Sequence, residues 1–180
     1  MGAVRTVGHG VLGAADFADL VRRAGVELVV DVRRYPGSRR HPHFASEAMA
    51  AWLPQAGVGY RWCPELGGRR KATADSPNVA LRNEQFRAYA DHMATEEFAT
   101  AVAELRGAAD GTPMAIMCAE SVWWRCHRRL LADHLVLIED VAVEHLFHDG
   151  RLAPHPPTPE ARRAGDHLVY DLDADRPLSL

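Results

Sequence analysis

The residues best suited to chemistry lie in the segment 118–128, which reads CAESVWWRCHR. It follows an apolar run that is typical of a buried strand, and its pattern predicts a helix after a short turn. A helix start offers free backbone N–H groups, which attract anions and lower the pKa of a nearby thiol. Cys118 is therefore a candidate nucleophile or redox thiol, with a small buried apolar residue as the equal alternative. Glu120 and His127 are candidate general acids or bases, and Glu120 is also placed to hold the imidazole.

Two familiar kinds of thiol loop do not fit this segment. Phosphatase-type and rhodanese-type loops place an arginine closer to the cysteine than Arg125 lies to Cys118, and the glycines that shape them are missing here. The predicted helix over residues 121–135 places Cys126 on an apolar face, which favours a packing role. His127 falls on a neighbouring stripe of the predicted helix. Its alternative roles are a general base, a metal ligand and a buried core histidine.

A metal site is an alternative use of the same side chains. Thiol and imidazole groups at Cys118, Cys126, His127 and His9 are ligands that suit zinc or iron. The sequence has no CxxC or HxxxH pair, and adjacent residues on a helix point in different directions. Because adjacent helical residues such as Cys126 and His127 rarely ligate one ion, no metal site is favoured. If a metal does bind, Cys118, Cys126 and His127 are the predicted ligands.

A second chemical feature is the run RRYPGSRRHPHF at residues 33–44, which has four arginines, two histidines and no acidic residue. Arginine grips phosphate and carboxylate groups with two parallel hydrogen bonds. If this run meets the basic residues at 69–71 and 125–129, the three form a local basic mouth; otherwise each is a separate solvated surface. The predicted substrate-binding residues are Arg33, Ser38, Arg39, Arg125, Arg128 and His9.

Aromatic and acidic residues near these basic runs add two further interpretations. Tyr35, Phe44, Trp123 and Trp124 offer faces on which nucleic-acid bases stack. Asp31 is either a catalytic acid or base, or a structural partner of Arg33 or Arg128 in an ion pair.

The elements that must position these residues follow from hydrophobic periodicity and from glycine and proline. Residues 4–7 and 26–32 read as strands around a helix at 14–23, which forms a βαβ unit with a parallel sheet. Further strands are predicted at 60–63, 113–118 and 141–147, and further helices at 46–53, with Ser46 as the cap, 83–93, 96–106 and 121–135. The predicted fold is α/β, a single compact domain with a mainly parallel sheet flanked by helices. It spans residues 1–164, and residues 165–180 form an acidic C-terminal extension that packs as a strand or frays.

Polar residues follow three of these strands, at His9, at Asp31 and Arg33, and at Cys118 and Glu120. Ligands of open parallel sheets bind beyond the carboxyl ends of the strands. We therefore expect these side chains to gather at one rim of the sheet.

Length and composition set the wider limits. The chain has 180 residues, 47% of them hydrophobic, and 21 basic against 24 acidic side chains give a net charge of −3. This composition is typical of one globular domain and excludes a disordered chain, a coiled coil and a protein that is basic overall. No apolar run is long enough to span a membrane, and the start of the chain does not resemble a signal peptide, so we expect a cytoplasmic protein. An odd number of cysteines, three, argues for reduced thiols.

Several motifs follow one another in a fixed order along the chain. They are TVGH at 6–9, VDVR at 30–33 with Pro36 and SR at 38–39, Tyr60 before LGGR at 66–69, YA at 89–90 with HM at 92–93 and Phe98, MCAE at 117–120, and CHR at 126–128. Together they resemble the DUF488 family, a domain of unknown function. The resemblance runs from about residue 4 to residue 148. It implies an α/β domain but no reaction. Its characteristic polar positions are Asp31, Arg33, Cys118, Glu120, Cys126, His127 and Arg128.

The chain departs from the family pattern at two places. Gly10 stands where the family commonly has Ser or Asn, and Trp123 and Trp124 fill a stretch that usually includes a proline. We expect the two indoles to reshape the pocket.

These observations favour an enzyme that acts on a small anionic substrate, phosphorylated or nucleotide-like, at the C-terminal rim of the sheet. One alternative is a module that binds nucleic acid or a nucleotide without catalysis, and another is a metal-binding protein with Cys and His ligands. The expected partner is a small anionic molecule or a nucleic acid, and no membrane. The cofactor is unknown, with zinc or iron as the candidates.

Overall fold

The computed structural model describes residues 3–37 and 39–172. Ser38, one of the predicted substrate-binding residues, lies outside the described residues, and so does the end of the predicted C-terminal extension, residues 173–180.

The centre of the molecule is a six-stranded sheet. Its strands are β1 (Val4–Gly8), β2 (Leu28–Asp31), β3 (Gly59–Trp62), β4 (Met114–Cys118), β5 (Val143–Leu146) and β6 (Leu152–Pro154). The spatial order is β3-β2-β4-β1-β5-β6, and every neighbouring pair is parallel except β5 and β6. The predicted α/β domain with a mainly parallel sheet is confirmed.

Helices cover both faces of this sheet. They are α1 (Ala14–Arg23), α2 (Ser46–Gln55), α3 (Glu84–Met93), α4 (Glu96–Ala109) and α5 (Arg128–Leu137), with short 3₁₀ turns at Pro42–Phe44, Pro64–Leu66 and Trp123–Arg125. Successive side chains of a strand point to opposite faces, so each central strand feeds two cores. Val29 packs with the α1 and α2 side chains, whereas Val30 packs with those of α3, α4 and α5.

A separate antiparallel hairpin follows the sheet, formed by β7 (Ala161–Ala164) and β8 (His167–Tyr170). Leu168 and Tyr170 of β8 are buried in the core on the side of α3, α4 and α5. The strand β8 lies in the stretch that the sequence assigns to the C-terminal extension, and packing as a strand is one of the two outcomes predicted for that stretch.

The prediction of a helix over residues 121–135 is wrong at its beginning. Residues 123–125 form a 3₁₀ turn, and α5 begins only at Arg128, with His127 as the N-cap residue. The Trp123 ring stacks on His145 of β5 at 4.1 Å between centroids, which holds the turn against the sheet. Cys126 and His127 therefore precede the helix and do not occupy two of its faces.

The sequence also predicts Ser46 as a helix cap, and this is wrong. Ala45 occupies the N-cap position of α2, and its side chain makes no capping hydrogen bond.

Within the described residues, no helix is long and apolar enough to cross a membrane.

Candidate functional site

Three strand ends meet at the carboxyl edge of the sheet, because β2, β4 and β1 are neighbours. The parallel register places Gly8 opposite Cys118. A Cβ atom on Gly8 would lie only 1.9 Å from the carbonyl oxygen of Glu120, so the loops after β1 and β4 can approach only over a glycine. The sequence expectation that these ends form one rim is consistent with this topology.

A cavity of about 980 Å³ opens at this rim. Its lining includes Cys118 from the end of β4, Cys126 and His127 from the segment before α5, and Glu120 and Ser121 from the loop between them. Both thiols are buried, and the Glu120 carboxylate is exposed to solvent. The candidate thiols, imidazole and carboxylate of the segment 118–128 therefore share one opening.

The two thiols differ sharply in acidity. Burial alone would raise the pKa of Cys126, but a hydrogen bond from the Cys118 thiol and the positive charge of Arg128 outweigh it and lower the pKa to about 6. The backbone N–H of Arg128 also donates to the Cys126 sulfur at 3.5 Å, as helix-start amides do for thiolates. The hydrogen bond to Cys126 and burial raise the pKa of Cys118 to about 12. Of the two thiols, Cys126 is therefore the one that loses its proton more readily.

His127 packs beside this pair in a close-fitting slot. Its Nδ1 atom lies 3.6 Å from the Cys126 sulfur, and its ring meets Tyr89 edge-on at 4.9 Å between centroids. A Cβ atom on Gly68 would come within 2.9 Å of His127 Nδ1, so the loop after Leu66 approaches the imidazole over a glycine. The Nε2 atom is buried and has no hydrogen-bond partner among the described residues.

Arg128 is a fully buried cation beneath the thiolate. Its side chain is 1% exposed and donates to Thr6 Oγ1 at 3.5 Å and to the backbone carbonyl of Glu120. In the described part of the chain no carboxylate pairs with it directly. A buried charge is costly unless it is compensated. The positive charge of Arg128 acts on the Cys126 thiol, whose pKa it lowers.

The same cluster offers the ligand types of a metal site. The Sγ atoms of Cys118 and Cys126 and a ring nitrogen of His127 all lie within 4.8 Å of one another. The prediction that Cys126 and His127 rarely ligate one ion assumes a helix at both residues, and that helix does not form there. His9, named with them as a ligand type, points its ring nitrogens at Gly10 and Arg33 instead.

Asp31 and Arg33 form the buried ion pair that the sequence offers as the alternative to catalysis. Arg33 Nε donates to Asp31 Oδ1 at 2.8 Å and Nη2 donates to Oδ2 at 2.6 Å, while Tyr60 donates its hydroxyl to Oδ2 at 2.7 Å. Arg33 Nη1 donates to His9 Nε2 at 3.2 Å. Burial and the nearby Arg33 lower the pKa of His9 to about 4, so this imidazole is neutral. The carboxylate of Asp31 thus has every oxygen occupied and holds Arg33 in place.

Arginines from all three basic runs are among the residues that line the cavity, namely Arg33, Arg34, Arg69, Arg70 and Arg125. Arg70 is engaged, since it donates to the carbonyls of residues 64, 65 and 67 and to Glu97. Arg34, Arg69 and Arg125 pair with no carboxylate among the described residues. Arg39, predicted as a substrate-binding residue, is exposed but does not line the described cavity, and Arg128 lies beneath it.

Some of the aromatic residues line the cavity and others do not. Tyr35, 63% exposed, and the partly buried Phe86 line the cavity. Phe44 is buried and stacks on His9 at 4.1 Å, and Trp123 stacks on His145, so neither offers a free face to a ligand. Trp124 is exposed but is not among the lining residues of this cavity.

Sequence reasoning missed several residues around this site. Phe86 lies in α3 and carries no motif of its own. Asp133, His145 and His155 form a buried hydrogen-bonded group behind Arg128. His145 and His155 lie outside the segment 118–128 and outside α5, so no local pattern joins them to it. Only the order of the strands brings them together.

The geometry defines the class of the protein. It is an α/β domain with a thiol pair and arginines at the carboxyl edge of its sheet. The family model described as "Domain of unknown function DUF488" matches residues 13–135, more than half of the chain. The chain therefore belongs to the DUF488 family, as the motif resemblance predicts, with a matched range shorter than the residues 4–148 over which the motifs spread. Comparisons with curated proteins and with solved structures match nothing.

Proposed function

We propose that this protein is an enzyme that acts on a small anionic substrate, phosphorylated or nucleotide-like, with Cys126 as the attacking group. One observation carries the proposal: a buried thiol with a pKa of about 6 lines a cavity that is also lined by arginines with no carboxylate partner in the described part of the chain. A thiolate at neutral pH is the form that attacks electrophiles.

The arginines supply the binding part of the proposal. Arg34, Arg69 and Arg125 come from separate loops, and guanidinium groups recognise phosphate oxygens with paired hydrogen bonds. A phosphate that bridges these side chains would neutralise like charges that otherwise repel one another. This accounts for cations that line one opening in a protein of net charge −3.

The proposed chemical step is covalent catalysis on a phosphate ester. The Cys126 sulfur donates an electron pair to phosphorus, the phosphorus–oxygen bond to the leaving alcohol breaks, and that oxygen takes a proton from solvent. Water then attacks phosphorus and gives a proton to the Glu120 carboxylate, the sulfur–phosphorus bond breaks, and inorganic phosphate leaves with the thiolate restored. Glu120 is the lining carboxylate that accepts this proton and releases it to solvent.

In this proposal, two residues for which the sequence predicts catalysis have other roles. Cys118 donates its thiol hydrogen to the Cys126 sulfur and so stabilises the thiolate. Asp31 positions Arg33, the only lining arginine in the described residues that is fixed by a buried carboxylate. His127 packs against the sulfur and shapes the floor.

Two aromatic residues support the nucleotide-like part of the proposal. Tyr35 and Phe86 line the same cavity as the arginines, and an aromatic face stacks on any nucleobase. Reduced thiols at the site are also consistent with a cytoplasmic location.

The test is turnover of phosphate esters by the purified protein. p-Nitrophenyl phosphate and a set of nucleoside monophosphates are offered to the wild type, to Cys126→Ser and to Cys63→Ala. Cys63 is a buried cysteine that does not line the described cavity, so it is the matched control. We expect Cys126→Ser to lose at least about 1,000-fold in kcat/KM, because the nucleophile is removed, and Cys63→Ala to keep its activity.

Three results would overturn this proposal. Equal turnover by the wild type and Cys126→Ser would exclude the thiolate. Salt-sensitive binding of single-stranded nucleic acid that Cys126→Ser leaves unchanged, without turnover, would favour a binding module. Stoichiometric zinc or iron in protein purified without a metal-binding tag would leave no free thiolate, since a coordinated sulfur does not attack.

A further inference from the structure

The loop over residues 67–70 is closed by one nearly buried side chain. Arg70, whose side chain is 9% exposed, donates from Nε to the carbonyl of Gly67 at 2.9 Å. Its Nη2 donates to the carbonyls of residues 64 and 65, at 3.1 and 2.8 Å. The guanidinium therefore reaches back across residues 68 and 69 and ties the two ends of the loop together.

Arg69, inside this loop, has a backbone conformation that arginine seldom adopts. Its φ angle is 58°, in the left-handed region. A side chain makes this region unfavourable, because the Cβ atom comes too close to backbone oxygen. Arg69 is nevertheless exposed and lines the cavity. Such a conformation persists only where the surroundings impose it, and it is concentrated at binding sites.

The loop is wedged between the two other basic runs. A Cβ atom on Gly67 would lie 2.7 Å from the backbone nitrogen of Arg34, in the loop after β2. A Cβ atom on Gly68 would lie 2.9 Å from the Nδ1 atom of His127, in the segment before α5. These close approaches leave the loop little freedom to move. Its position beside both runs brings Arg69 to the opening that they line.

We propose that Arg70 is a positioning residue, whose hydrogen bonds close the loop 67–70 and hold Arg69 in the left-handed conformation that places it at the cavity. The inference rests on the proposed function in taking this cavity as the site of the substrate phosphate. Arg70 also lines the cavity, but its Nε and Nη2 groups are committed to carbonyls, and its Nη1 donates to Glu97 at 3.4 Å. Arg69 is therefore the residue of this loop that contacts the anion, and Arg70 acts through it.

The first test needs no ligand. Arg69→Ala and Arg69→Gly are each made in the wild type and in Arg70→Lys, and the midpoint of urea unfolding is measured. Lysine keeps the positive charge but lacks the planar fork of donors that reaches three carbonyls. Arg70→Gln, which also lacks this fork, replaces Arg70→Lys if the lysine variant does not fold.

With Arg70 present, Arg69→Gly should have a higher urea midpoint than Arg69→Ala, because glycine adopts left-handed conformations without a steric cost. In Arg70→Lys this advantage of glycine should disappear, because residue 69 is free to leave that conformation. Effects of glycine on the unfolded chain are the same in both backgrounds and cancel in the comparison. The inference is overturned if glycine has no advantage in the wild type, or if Arg70→Lys leaves the advantage unchanged.

The second test measures the binding of inorganic phosphate by isothermal titration. Arg70→Lys should weaken binding about fivefold when Arg69 is present and should weaken it no further in Arg69→Ala, because coupled residues are not additive. Lys71→Ala is the matched control. It removes an exposed cation that does not line the cavity, so it should bind like the wild type. Losses that add would show that Arg70 binds phosphate itself, and would overturn the inference.

The two tests separate this inference from the proposed function. If the wild type binds no phosphate, the proposed function fails, and the urea comparison still decides the role of Arg70. If phosphate esters are turned over but glycine has no advantage at position 69, the inference fails and the proposed function stands.

Discussion

The three cysteines show how strongly the surroundings decide the chemistry of one residue type. Burial and the nearby Glu65 raise the pKa of Cys63 to about 11, and a hydrogen bond to Cys126 raises that of Cys118 to about 12. Only Cys126 combines a donating thiol, a helix-start amide and a buried cation. The sequence singles out the segment 118–128, and it favours Cys118 as the nucleophile because the predicted helix begins at residue 121.

The arginines allow a prediction at the same scale. Arg125 lines the cavity and pairs with no carboxylate among the described residues, whereas the exposed Arg39 does not line it. Arg125→Ala should weaken the binding of inorganic phosphate about tenfold, since one charge-assisted hydrogen bond is lost. Arg39→Ala should bind like the wild type. Isothermal titration with phosphate measures both, and equal affinity in the two variants would contradict the assigned anion site.

At the level of elements, the sequence predicts the sheet better than the loops. The helix α1 has the predicted bounds, Ala14–Arg23, because a clear apolar face lies between a glycine at each end. The five predicted strands are found, although β2 is shorter than the apolar run 26–32, whereas β6 and β7 are not predicted. The turn at Trp123–Arg125 could not be predicted, since the stacking of Trp123 on His145 is a contact between residues distant in the chain.

The loop after the 3₁₀ turn Pro64–Leu66 carries a prediction of its own. Gly68 lets this loop approach His127, and a Cβ atom there would lie 2.9 Å from the imidazole Nδ1. Gly68→Ala should therefore displace His127 or the loop and cost about 1–3 kcal/mol of unfolding free energy, as overpacking does. It should also slow alkylation of Cys126, because His127 packs against that sulfur.

The control for this change is Gly107→Ala in the helix α4, where a Cβ atom meets nothing within 4 Å. It should stabilise the protein by about 1 kcal/mol through helix propensity and leave Cys126 unaffected. Urea unfolding and the alkylation rate decide the matter together. If Gly68→Ala behaves like Gly107→Ala in both measurements, the close packing assigned to His127 is wrong.

For the whole molecule, the net charge of −3 conceals an uneven distribution. Arginines from three distant runs line one cavity at the carboxyl edge of the sheet. The parallel βαβ pattern is enough to predict that edge, because it fixes which strand ends lie together. The buried hydrogen-bonded group of Asp133, His145 and His155 could not be predicted. These residues come together only through the packing of β5 and α5 against β1.

The family membership fits this division between what local patterns reveal and what the fold adds. The DUF488 match covers residues 13–135, which include the segment 118–128 and the arginine runs. His145 and His155, which lie behind Arg128, fall outside the matched range. The family motifs therefore identify residues that line the cavity, whereas the buried histidines behind Arg128 are found only from the packing of the fold.

The most direct test of the central claim measures the Cys126 thiolate and the anion site together. The wild-type protein is alkylated with iodoacetamide across pH, with and without inorganic phosphate, and the modified cysteine is identified by mass spectrometry. We expect alkylation at Cys126 with a midpoint at about pH 6, and slower alkylation when phosphate occupies the cavity. A midpoint at the ordinary thiol pKa, or a rate that phosphate does not change, would contradict the claim that Cys126 is a thiolate at the floor of an anion-binding cavity.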